Sequence, residues 1–147
     1  MTKIVAMADS HIAGVAALEK ACFSCPWSEK SLRAELENPL AVWLVAERDG
    51  EFAGYIGAQA VMDEADVMDL AVMPQFRRLG VGWALVTALI AALDARGVKR
   101  LTLEVRDSNT AAAQLYASLG FTRVGVRRNY YEKPREDAVI LRKEWGV

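Results

Sequence analysis

Apolar residues recur along this chain at two spacings, one near three to four residues and one near two, and the switches between them mark its elements. Ile4–Met7 is a short apolar run that suits an opening strand. Asp9 or Ser10 can cap a helix in which Ile12, Val15, Ala16, Leu18, Glu19 and Cys22 fall at helical spacing. Pro26 stops it. Ser28 can cap a second helix, with Leu32 and Leu36 one turn apart, and Asn38-Pro39 ends that one. Ala41–Arg48 and Glu51–Met62 read as strands joined by the hairpin turn Asp49-Gly50. A turn at Asp63-Glu64 leads into a third strand, Ala65–Val72, so the three predict an antiparallel meander.

Pro74–Leu79 is a polar loop before the clearest helix, Gly80–Arg96, whose Val81, Ala84, Leu85, Ala88, Leu89, Ala92 and Leu93 form one apolar stripe. Gly97 suits its C-terminal cap. Arg100–Val105 alternates as a strand, and Asp107, Ser108 or Asn109 can cap a helix over Thr110–Leu119, closed by Gly120-Phe121. Two last strands, near Phe121–Tyr131 and Ala138–Trp145, flank a turn around Pro134. The order βααβββαβαββ predicts an α/β fold, a single domain over residues 1–147 with a mixed, mostly antiparallel sheet flanked by helices.

Composition supports a packed globular chain. Of 147 residues, 53% are hydrophobic and 25% charged, which argues against disorder. The longest helix-like apolar run, Trp83–Leu93, is too short to span a bilayer, so no membrane partner is expected. Met1–Ser10 has no apolar signal core, which points to the cytoplasm. Two cysteines cannot build a disulfide scaffold. A net charge of −1 disfavours non-specific nucleic-acid binding. The charge is uneven: residues 1–75 hold 5 Lys/Arg against 12 Asp/Glu, and residues 76–147 hold 13 against 7. One part of the chain then favours a cationic ligand and the other an anionic one, unless both are plain surface charge.

The sharpest local chemistry is at Gly80-Val81-Gly82, which opens the best helix. Glycines let backbone N–H groups approach an anion, and the helix N-terminus adds its dipole. Arg77 and Arg78 add positive charge at the same end. A P-loop needs Gly-Lys-Ser/Thr, but Trp83-Ala84 follow here. A dinucleotide fingerprint needs a third Gly or Ala where Leu85 stands, and a tight strand-to-helix turn where seven residues separate Val72 from Gly80. The loop that holds the pyrophosphate of coenzyme A, Arg/Gln-x-x-Gly-x-Gly/Ala, is matched in full by Arg77-Arg78-Leu79-Gly80-Val81-Gly82.

With Asn109 and Tyr116 on a later helix, this arrangement resembles the GCN5-related N-acetyltransferase (GNAT) superfamily over nearly the whole chain. Leu103–Phe121, Pro26-Trp27-Ser28-Glu29 and Arg127-Arg128-Asn129-Tyr130-Tyr131 make it look like the RimI-like ribosomal-protein-alanine N-acetyltransferases within that superfamily. The resemblance implies acetyl-CoA as co-substrate, no metal, and the N-terminal peptide of a ribosomal protein as partner: the N-terminal alanine of small-subunit ribosomal protein eighteen. It implies that the backbone of Leu70, Ala71 and Val72 pairs with the pantetheine and that an N–H there polarises the thioester carbonyl. It implies Glu104 as general base, Tyr116 as general acid toward the departing thiolate, Asn109 on the coenzyme arm, and Trp27 and Tyr130 beside the peptide cleft.

Each of these residues also has an ordinary reading. Glu104 can be a solvated carboxylate paired with Arg106 or Arg100, Tyr116 a packed helix tyrosine, and Asn109 a helix cap. Cys22 and Cys25 read as small apolar residues, since a lone C-x-x-C cannot make a four-sulfur zinc site. His11, the one histidine, suits surface or core rather than catalysis. Asp63, Glu64, Asp66 and Asp69 read as a solvated acidic turn, or as attraction for a cationic peptide. Three functions compete with N-terminal alanine acetylation: a GNAT acting on a lysine or small-molecule amine, a coenzyme-A-binding sensor without turnover, and a nucleotide-binding module. Retention of both Glu104 and Tyr116 argues against a pure binder. The sequence leaves the oligomeric state open.

Overall fold

The structure is a computed structural model that describes residues 1–146. One seven-stranded sheet runs β1 (Thr2–Ala6), β2 (Ala41–Arg48), β3 (Glu51–Val61), β4 (Glu64–Val72), β5 (Arg100–Arg106), β7 (Glu136–Glu144) and β6 (Thr122–Tyr131) from edge to edge. Four α-helices flank it: α1 (Ile12–Cys22), α2 (Glu29–Glu35), α3 (Val81–Ala95) and α4 (Thr110–Ser118). The predicted order βααβββαβαββ is the observed one. Every neighbouring strand pair is antiparallel except β4 and β5.

Period-two alternation sorts side chains to two cores, one on each face of the sheet. On β2, Val42 and Ala46 join the core beneath α3, while Trp43 and Val45 join the core beneath α1 and α2. Helix α3 presents Val81, Leu85, Val86, Leu89 and Leu93, all buried, to the first core, and α1 presents Ile12, Val15 and Leu18 to the second. Helices α2 and α4 begin at side-chain caps, whereas α1 begins after His11 with none, not at a cap from Asp9 or Ser10. Ser28 Oγ accepts the N–H of Ser31 at 3.1 Å and Asn109 Oδ1 accepts that of Ala112 at 3.1 Å. Asp49 and Gly50, both at positive φ, make the β2–β3 hairpin turn.

Short 3-10 turns at Asp9–His11 and Pro74–Phe76 replace parts of the expected first helix and polar loop. Such turns are too short to carry a period of their own. No helix among the described residues is long and apolar enough to cross a membrane. Leu89 is fully buried at the centre of the larger core. Leu89→Ala is therefore expected to lower unfolding free energy by about 2–5 kcal/mol, measured by urea denaturation.

Candidate active site

The sheet splits where β4 leaves β5. Only Glu64, Ala65 and Asp66 pair with β5, opposite Arg100, Leu101 and Thr102. Beyond Asp66, β4 continues to Val72 bonded to β3 on one side and to no strand on the other. Met68 is an extra residue on β4: Gly57 pairs with Asp69 and Ala58 with Val67, so the strand bulges where it parts from β5. The free edge that follows holds Leu70, Ala71 and Val72. It is a template to which an extended ligand can add as a strand.

At the end of that edge the chain turns into α3. Gly80 has φ +80° and open space where a side chain would sit, and no side chain caps the helix. The first-turn N–H groups at Val81, Gly82 and Trp83 thus have no side-chain cap and stand at the positive end of the helix dipole. Arg78 is at φ 63°, one of the few non-glycine residues in the left-handed region. Arg77 is committed elsewhere: its Nε donates to the carbonyl of Val72 at 3.1 Å. Arg78 is the cation of this loop without a partner among the described residues. Leu79 is exposed beside it.

Glu104 and Tyr116 lie on opposite faces of the sheet. On β5, Leu101, Leu103 and Val105 point into the α3 core, so Thr102 and Glu104 face the other way. There the sheet carries a cavity of about 330 Å³, lined by Asp66, Thr102, Val124, Arg127, Ile140 and Arg142. Glu104 does not pair with Arg100 or Arg106. Arg100 reaches Glu64 and Glu144 on neighbouring strands, and Arg106 reaches Glu136 and lies 4.4 Å from the ring of Tyr131. Its neighbour is Arg127 on β6, with Nε 3.3 Å from Oε2. That N–H is not aimed at the oxygen, and Oε2 is buried with no hydrogen-bond partner. An orphaned carboxylate oxygen carries a desolvation penalty that a bound donor relieves.

The irregular end of β6 supplies this surround. Its pairing with β7 breaks after Arg127 and resumes at Tyr131, and Asn129 at φ 52° donates its N–H to Asp137 at 2.7 Å. Arg127, still paired with Ala138, and Tyr130, within the irregular stretch, both lie by Glu104. Tyr130 is half exposed, its ring 5.7 Å from the Arg127 guanidinium, and the charge of Glu104 raises its phenol pKa. Burial, with Glu104 adding, pushes Tyr131 up to about 12.

On the opposite face, Tyr116 is 3% exposed and packs edge-on against Phe121, with centroids 5.2 Å apart. Burial raises its pKa, so the hydroxyl stays protonated across the working range. No described side chain bonds to it. The helix carrying it abuts the glycine loop: a Cβ on Gly82 would lie 3.2 Å from Leu115 and 4.0 Å from Val72. Asn109 does cap α4, which occupies its Oδ1.

A family model and the chain's relatives agree on where this chain belongs. The model of the acetyltransferase (GNAT) family matches residues 12–121. The chain belongs to the GNAT family. It is 42% identical over 126 residues to the ribosomal protein bS18-alanine N-acetyltransferase of Escherichia coli (strain K12), covering 84% of both chains. It is 44% identical over 130 residues to the enzyme of the same name in Haemophilus ducreyi, covering 84% of this chain and 87% of that one. The crystal structure of the ribosomal-protein-S18-alanine N-acetyltransferase from Escherichia coli matches with a TM-score of 0.90 and 36% identity, covering 100% of this chain and 96% of that one. The resemblance carried by the Trp27 and Arg127–Tyr131 blocks thus extends over most of the chain.

GNAT proteins use acetyl-CoA. The residues here fit it: an uncapped helix N-terminus, a glycine with open space above it, and an unpaired strand edge leading to both. Gly82→Asp is expected to weaken acetyl-CoA binding by about tenfold or more, since its carboxylate takes the place of the phosphate at the helix end. Gly82→Ala, which needs only a small shift of Leu115, is expected to weaken it less. Calorimetry on the folded variants checks both.

Trp27 is half-buried and sets its ring edge-on to Trp43 at 5.2 Å. Two expectations are corrected here. Asp69 is not part of a solvated turn: it lies on β4 under α1, and burial beside Glu19 pushes its pKa up to about 9. Cys22 and Cys25 are not packed as apolar residues; both are free and exposed, because α1 ends at Cys22 and the segment after it runs over the surface. Glu19, at helical spacing with the apolar residues of α1, is a fully buried carboxylate with no role expected from the sequence. Its one signal was a carboxylate standing at an apolar position of the α1 period.

Proposed function

We propose that this protein, as one N-acetyltransferase domain, transfers the acetyl group of acetyl-CoA to the N-terminal α-amine of a protein. The acceptor is the N-terminal alanine of ribosomal protein bS18, a reaction of the cytoplasm. The observation that carries the reaction is the buried Oε2 of Glu104, which has the Arg127 guanidinium 3.3 Å away but no hydrogen bond among the described residues. The identity to two bS18-alanine N-acetyltransferases supports the acceptor.

Bound acetyl-CoA supplies an activated acetyl thioester and a thiolate leaving group. The N–H groups of Val81, Gly82 and Trp83, with Arg78, hold its pyrophosphate, and the β4 edge at Leu70–Val72 aligns its arm. An N–H on that edge faces the thioester carbonyl and stabilises charge developing on its oxygen. Glu104 takes a proton from the incoming ammonium, directly or through a water, so that a neutral amine attacks. Tyr116 donates its hydroxyl proton, or a hydrogen bond, to the departing sulfur from the other face. Its position across the sheet from Glu104 keeps acid and base apart. Trp27 and Tyr130 flank the path of the acceptor.

Short peptides that differ only at the first residue, incubated with acetyl-CoA and read by mass spectrometry, test this. Acetylation at the α-amine of the alanine peptide is expected. Acetylation at lysine alone rejects the acceptor assignment.

A further inference from the structure

Arg106 lies two residues beyond Glu104 on β5, and so on the same face of the sheet. Its side chain is largely buried and fully committed. Nη1 donates to the carbonyl of Pro134 at 2.9 Å and reaches Oε1 of Glu136 at 3.4 Å. Nη2 donates to the carbonyl of Glu132 at 3.3 Å. The guanidinium carbon sits over the ring of Tyr131, 4.4 Å from its centroid. All four partners belong to one place: the end of β6, the start of β7 and the turn over 132–135 between them.

That end of the sheet needs such a hold. Strand β6 is an edge strand, and its pairing with β7 lapses between Arg127 and Tyr131. A stretch with few ladder bonds opens at low cost. Yet this stretch carries Tyr130. A series of contacts runs from Arg106 through it: Arg106 over Tyr131, Tyr131 edge-on to Tyr130 at 5.1 Å, Tyr130 5.7 Å from the Arg127 guanidinium, and Arg127 3.3 Å from Glu104. The series leaves β5 at Arg106 and returns to it at Glu104. Glu136 braces the same place from the other side, its Oε2 accepting the N–H of Ser108 at 2.5 Å just before α4.

We infer that Arg106 is a positioning residue: by gripping the β6–β7 turn and the ring of Tyr131, it sets Tyr130 and Arg127 against Glu104 and so shapes the acceptor side of the site. The inference rests on Tyr130 flanking the path of the acceptor. Arg106 takes no part in the acid–base steps above.

Hydrogen exchange of the free protein and kinetics with an alanine-initiated peptide test this. Lysine keeps the charge at position 106 but has no flat fork that can serve two carbonyls while lying over a ring. Arg106→Lys is expected to lower protection of the Asn129 amide about tenfold, with the buried Leu89 of α3 unchanged. It is expected to raise the peptide KM about tenfold and leave the acetyl-CoA KM within about twofold, because the Glu136 brace on Ser108 stays in place. Tyr131→Leu removes the ring and should give the same pattern. Tyr131→Phe keeps the ring and should hold the peptide KM within about twofold of wild type. The double variant Arg106→Lys/Tyr131→Leu should lie within about twofold of either single variant, since both break one series of contacts. Unchanged Asn129 protection in folded Arg106→Lys overturns the inference, as does an unchanged peptide KM there or full additivity in the double variant. The exchange measurement needs no substrate. A wild type that fails to acetylate the peptide therefore counts against the proposed function alone, and the Asn129 protection still decides the hold by Arg106.

Discussion

Glu104→Gln and Tyr116→Phe are each expected to lower kcat by about 10²–10⁴-fold while acetyl-CoA affinity stays near the wild-type value. The two substitutions remove single functional atoms. Gln keeps the shape of Glu104 and replaces the carboxylate by a group that cannot take a proton. Phe keeps the edge-on contact with Phe121 and removes only the hydroxyl. Neither residue lies in the glycine loop or on the β4 edge, which is why cofactor affinity should separate from turnover. The pH dependence distinguishes the two. A peptide α-amine has a pKa of about 7.7–8.0, so raising pH supplies neutral amine without help, and Glu104→Gln should recover part of its loss. Tyr116 is needed in its protonated form, which burial maintains, so Tyr116→Phe should show no such recovery. Wild-type kcat in both variants would return Glu104 to a surface ion pair and Tyr116 to packing.

The features that proved legible in the sequence are those with a local physical cause. Strand β2 has its predicted limits because alternation ends at Asp49-Gly50, whose positive φ values only a hairpin turn needs. Ser28 and Asn109 are caps because their side chains satisfy N–H groups three residues on. The site's geometry was less legible because it comes from distant pairings. A one-residue bulge at Met68 has no pattern of its own, and the parting of β4 from β5 is a matter of register. The arginines on the strand of Glu104 are not its neighbours. Arg100 and Arg106 instead bond across to other strands, and Arg127 arrives from β6 where that strand leaves its register. Asp69 read as a turn acid because Asp63, Glu64 and Asp66 precede it. The bulge turns it under α1, beside a buried Glu19 that the helical period had counted among apolar positions.

Blocking the α-amine of an alanine-initiated, arginine-rich peptide is expected to abolish acetylation even when its lysines are free. The argument is one of proton affinity. An α-amine near pKa 8 is a modest task for a carboxylate, whereas a lysine ammonium near 10.4 needs more than two further units of driving force. Glu104 is a single carboxylate with the Arg127 guanidinium 3.3 Å from it. A small first side chain should matter for a different reason. Trp27 is held by both its ring and its backbone, so a bulky first residue meets a wall that does not yield, and such peptides should react poorly. The acidic first part of the chain, 12 Asp/Glu against 5 Lys/Arg, should draw basic residues that follow the alanine, and rates should fall as salt rises. Mass spectrometry of matched peptides, blocked and free, at two salt concentrations, reads all of these. Equal acetylation of the blocked and free peptides would make the protein a lysine acetyltransferase, with Glu104 requiring a stronger base behind it than any residue beside it provides.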